Sequence, residues 1–85
     1  MKRTESLTLP AGLSGVMDYS HIKVGTYPVK NLKPCFEINV VVTEGNADRI
    51  TFHLECSDNC PNIGTLGMLQ MLEYSGIFEK TVYHL

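Results

Sequence analysis

Three cysteines, Cys35, Cys56 and Cys60, and three histidines, His21, His53 and His84, are the side chains here with the widest chemistry. Cys60 precedes a largely apolar stretch that reads as a helix. A thiol in that place has its thiolate favoured by the helix dipole, which suits a nucleophile, a redox group or a metal ligand. The C-x3-C spacing of Cys56 and Cys60 is neither the C-x2-C of a zinc ribbon nor that of a thioredoxin-type site. His53 stands three residues before Cys56, so on a strand the two point to opposite faces and do not readily share one ion. With Glu55 and Glu37 it would form either an acid–base or metal patch or an ordinary set of cross-strand polar pairs. His21 in "DYSHIKV" reads as a turn residue, because closeness to Asp18 along the chain does not make a triad. Ser14 in "GLSG" lacks the G-x-S-x-G elbow, and neither a Walker A loop nor a Rossmann glycine pattern occurs.

The elements that must position these groups are legible in part. "CFEINVVVT" (35–43) and "RITFHLECS" (49–57) are rich in β-branched and aromatic residues, and "EGNAD" between them supplies turn formers. Setting Val42 opposite Ile50 pairs Val40 with Phe52, Ile38 with Leu54 and Phe36 with Cys56. Every even position then lies on one apolar face, while Glu37, Asn39, Thr51, His53 and Glu55 share the wet one. A helix is expected over 62–75, with Asp58, Asn59 or Asn62 as cap, Pro61 near its first turn and Gly76 closing it. On that helix Leu66, Leu69 and Leu72 form one stripe, and Met68 and Met71, with Gly64 and Gly67 beside them, occupy another side. The tail "IFEKTVYHL" reads as a third strand, and "ESLTL" and "SHIKVG" as edge strands, the first stopped by Pro10, with "TYPVKNLKP" a loop. The fold class is therefore α+β in a single domain spanning 1–85: a small antiparallel sheet, built on the 35–57 hairpin and the C-terminal strand, covered by one helix.

This arrangement brings the thiols to one end of the hairpin. Cys56 falls on the apolar face, where a thiol packs as a small hydrophobe, leaving Cys35 and Cys60 as the pair for metal or redox chemistry. A cysteine opening a hairpin and another at the start of the next helix resembles, over residues 35–72, the iron–sulfur scaffold proteins of the IscU and NifU type. The chain departs from that family in lacking the glycines that flank its second cysteine, in having Glu37 in place of its aspartate, and in lacking the later His-Cys pair. No cofactor is expected; the alternative is zinc or an iron–sulfur cluster at Cys35 and Cys60, to which the thiol cluster and this resemblance both point.

Composition narrows the class. With 44% hydrophobic and 19% charged residues, the chain has the make-up of an ordinary globular domain. A net charge of -2 argues against a dedicated nucleic-acid protein, although Lys23, Lys30 and Lys33, interleaved with Tyr19 and Tyr27, could grip phosphate or stack on a base. No apolar run approaches the ~20 residues of a membrane span, the N-terminus has no signal-peptide core, and an odd cysteine count fits a reducing cytosol. A chain of this size has little room for an enzyme pocket. The expectation is a non-catalytic cytoplasmic protein-binding module, an adaptor or an inhibitor of another protein, that also forms a homodimer. Its contacts are expected at Gly64, Gly67, Met68 and Met71, because Met adapts to interfaces and Gly allows close approach.

Overall fold

In the computed structural model, which describes residues 1–12, 18–29 and 37–78, the central hairpin is strand β4 (Ile38–Gly45) paired antiparallel with strand β5 (Arg49–Cys56). The apolar face is the expected one: Ile38, Val40, Val42, Ile50, Phe52, Leu54 and Cys56 are all buried. Each such side chain removed from water contributes about 1.5–3 kcal/mol, so this face is the main source of stability. Phe36 lies outside the described residues.

The register differs from the expected one by two residues. Val42 faces Phe52 rather than Ile50, and Val40 faces Leu54. A shift of two keeps every side chain on its own face, which is why the core assignment survives. Beside the turn Glu44 opposes Thr51 and Gly45 opposes Ile50, three residues from the expected register, and a bulge between Val42 and Glu44 that leaves Thr43 unpaired takes one of the three back. Asn46 then makes the turn: its Oδ1 accepts from the Asp48 and Arg49 N–H groups at 2.8 and 3.0 Å, and its own N–H donates to the Arg49 carbonyl at 3.0 Å.

Among the described residues three short strands extend the sheet. Strand β3 (Gly25–Pro28) pairs with β4; strands β1 (Lys2–Arg3) and β2 (Leu7–Pro10) both pair with β5, all antiparallel. Between β1 and β2 the N-terminal segment carries one residue more than β5 opposite it. Thr4 bridges the gap, its N–H donating to the Leu54 carbonyl at 3.0 Å and its hydroxyl accepting from the Leu54 N–H at 2.9 Å. Pro10 ends β2, as expected for an edge strand. "SHIKVG", by contrast, is not a strand up to residue 24, and Thr26 and Tyr27 of the expected loop are in β3. Tyr19 and Ile22 are both buried, and a spacing of three suits a turn, which the Ile22 N–H closes on the Tyr19 carbonyl at 3.0 Å.

Helix α1 (Thr65–Tyr74) starts three residues later than expected and has no side-chain cap at its N-cap, Gly64. The expected caps are engaged elsewhere or idle: Asp58 pairs with the Met1 ammonium at 2.8 Å, and Asn59 accepts from the Ser57 hydroxyl at 2.8 Å. Gly76 closes the helix as expected, in the left-handed region at φ 83°. Beyond it Phe78 returns to the core and stacks on Tyr19, ring centroids 5.9 Å apart. The expected C-terminal strand lies, from residue 79 on, outside the described residues.

The loop holding Tyr19 and Ile22 docks on the hairpin through Gly45. A Cβ at Gly45 would meet the Ile22 carbonyl oxygen at 2.8 Å and the Tyr19 carbonyl oxygen at 3.2 Å, both backbone atoms that cannot swing aside. Gly45→Ala should therefore lower the unfolding free energy by about 1–3 kcal/mol, read from the urea midpoint at unchanged slope.

Candidate functional site

Helix α1 presents its residues in three sectors. Met68 and Leu72, one turn apart, are buried against the sheet. Leu66, Gln70 and Tyr74, again one turn apart, lie diametrically opposite on a wheel of about 100° per residue, and Leu66 is 72% and Tyr74 53% exposed. Gly67 and half-buried Met71 flank this outward stripe on one side, Leu69 and Glu73 on the other. Of the four residues expected to bind a partner, Met68 thus belongs to the core, while Gly64 is exposed and Gly67 and Met71 stand at the edge of the outward face. Gly67 also has an internal reason: a Cβ there would meet Ile63 Cγ2 at 2.7 Å. Leu66 and Tyr74 are the residues that sequence reasoning overlooked. The signal was present, since polar Gln70 and Glu73 straddle Leu66 on the wheel and so mark it as outward.

The thiols are rearranged as well. Cys56 and Cys60 are both free and buried, and both belong to the core cluster. Burial first, and the neighbouring Cys60 second, push the Cys56 thiol above its ordinary range. Cys35, the expected partner of Cys60, lies outside the described residues. Among the described residues no three His, Cys, Asp or Glu side chains gather as a metal set. Beside the thiols, Lys2 sits opposite Cys56 in the β1–β5 register and its ammonium donates to the Cys60 carbonyl. A cleft of about 390 Å³ opens here, lined by Lys2, Thr4, Ser6, Cys56, Ile63 and Met68 among others.

On the other face of β5, His53 is only 7% exposed although its position in the alternation is on the wet side. Its Nε2 lies 3.3 Å from Glu55 Oε2, and the same oxygen accepts from Arg3 Nη2 at 2.9 Å. These contacts, that to His53 first, hold the Glu55 carboxyl below its ordinary value. Glu37 instead joins Ser57: the Glu37 N–H donates to the Ser57 hydroxyl at 3.1 Å and the Ser57 N–H to the Glu37 carbonyl at 3.0 Å.

Tyr19 is wholly buried, Tyr27 donates its hydroxyl to the Lys23 carbonyl, and Lys23 is exposed. Lys30 and Lys33 lie outside the described residues. His21 is in an exposed turn, in which Asp18 Oδ1 accepts the Ser20 N–H at 2.7 Å; the Ser20 hydroxyl first, and this N–H second, hold the Asp18 carboxyl below its ordinary value. No helix among the described residues is long and apolar enough to cross a membrane. Comparison with known protein families, curated proteins and solved structures finds no match for this chain.

Because Glu55 is depressed in the folded chain, its contribution to stability is present above the ordinary glutamate value of 4.5 and is lost as pH falls through its lower folded value. Glu55→Gln should accordingly flatten the acid limb of a urea-midpoint against pH profile below about pH 5, and leave the slope above pH 6 unchanged.

Proposed function

We propose that this chain is a small protein-binding module that acts through the outward face of α1, with a second copy of itself as the first partner. The observation that carries this reading is the exposure of Leu66 and Tyr74 on one side of a helix whose other side is already buried in its own core. Large apolar side chains left in water forgo about 1.5–3 kcal/mol each of burial, which a partner surface would recover. Tyrosine, with an apolar ring and a polar tip, is characteristic of such contacts.

Charge supports self-association. Among the ten residues of α1 only Glu73 is charged, and it lies at the edge of the outward stripe. A two-fold contact sets each patch against its own copy, so a stripe with no like charges to oppose meets no repulsion. The same uncharged face could be presented to a groove on another protein, which is how an adaptor or inhibitor would use it. In this reading the chain recognises its partners without catalytic chemistry of its own.

Light scattering coupled to size exclusion tests the reading. The wild-type chain should elute at twice its 9.5 kDa mass at tens of micromolar, and Leu66→Glu should return it to the single-chain mass with an unchanged circular dichroism spectrum. An exposed site lets the charge enter without unfolding the core. A wild-type monomer throughout that range, or a dimer indifferent to Leu66→Glu and Tyr74→Ser alike, would remove the helix face as the site of self-association.

A further inference from the structure

The buried thiol pair has a chemistry independent of the helix face. We infer that Cys56 and Cys60 are a redox-active dithiol that closes to an intramolecular disulfide, with a small anionic disulfide such as oxidised glutathione as the oxidant.

Several features place the two sulfurs for it. Cys56 is the last residue of β5, and the Cys60 N–H donates to the Ser57 carbonyl at 3.0 Å, so residues 57–60 form a tight turn that folds Cys60 back toward the strand end. Both side chains enter the same core cluster, at 3% and 2% exposure. Oxidation therefore needs little rearrangement, since the pair is already brought together by the turn. Access is on the Cys56 side, which forms part of the wall of the 390 Å³ cleft. Lys2 lines the same cleft and its ammonium is at the Cys60 carbonyl, so positive charge stands where the carboxylates of the oxidant would approach and where a thiolate must form. The C-x3-C spacing conceals this arrangement because the intervening turn, not a helix, sets the distance.

The exchange balances without another reactant. Cys56 loses its proton to solvent and its thiolate attacks one sulfur of the glutathione disulfide. That bond breaks and the first glutathione leaves as a thiolate that takes up a proton. Cys60 then deprotonates and attacks the Cys56 sulfur of the mixed disulfide, releasing the second glutathione, which is protonated in turn. Two protein thiols are oxidised to one disulfide, and one glutathione disulfide is reduced to two thiols.

Peptide mapping of the wild-type protein tests this directly. After incubation with oxidised glutathione and alkylation in denaturant, trypsin leaves Cys56 and Cys60 together in peptide 50–80 and Cys35 in peptide 31–49. The expected result is a peptide 50–80 that is lighter by two hydrogens, resists alkylation and regains both sites on reduction. Cys35→Ser should close equally well, and Cys60→Ser should stop at a glutathione adduct on Cys56. A bond joining the two peptides, closure that requires Cys35, or a wild-type peptide 50–80 that stays fully alkylated overturns the inference.

Discussion

Everything described in this chain hangs on the pairing of β4 with β5 and on the single apolar face that the pair presents. Seven of its side chains form one buried sheet surface, on which Met68 and Leu72 of the helix and Tyr19, Ile22 and Phe78 of the connections converge. Neither edge would hold without it. β3 contributes four residues to one side, and β1 and β2 together contribute six to the other, all too short to persist except as additions to an existing pair. The bulge at Thr43 belongs to this frame, since it rotates Gly45 onto the core side, where the Tyr19 and Ile22 backbone closes over it.

The α+β class and the buried face of the hairpin were legible because both follow from strict alternation, a signal that survives an error of two in register. The register itself was not, because neither the turn that sets Gly45 opposite Ile50 nor the bulge before it leaves a mark on composition: Thr43 looks like any strand residue. The helix start was misread for another reason. Asp58, Asn59 and Asn62 are all good caps in isolation, but the first two have partners outside the helix that appear only in three dimensions. Tyr19 and Ile22 were read as part of a basic loop and an edge strand, although their spacing of three already suited a turn with two inward side chains.

The same division runs through the candidate sites. Two methionines looked alike in the sequence, yet Met68 packs beneath the helix and Met71 stands beside its outward stripe, a difference of three positions on a wheel. Cys56 was correctly placed in the core, but being core did not make it solitary: the turn that follows returns Cys60 to it. His53 shows the reverse, a side chain on the nominally wet face that is nearly as enclosed as the core and held to Glu55 and, through it, to Arg3. In each case the alternation rule located the residue, and the neighbours supplied by distant segments decided its environment.

The placement of β1 and β2 against β5 has a consequence for the order of folding. The hairpin joins strands separated by only three residues and can form as soon as both have left the ribosome, whereas the far edge of β5 must wait for a partner made roughly forty to fifty residues earlier. Until that return, β5 displays an unpaired edge beside its apolar face, the combination most open to pairing with the wrong chain. Thr4, bonded twice to Leu54 between the two short strands, anchors the returning segment to β5 where its own ladder is interrupted.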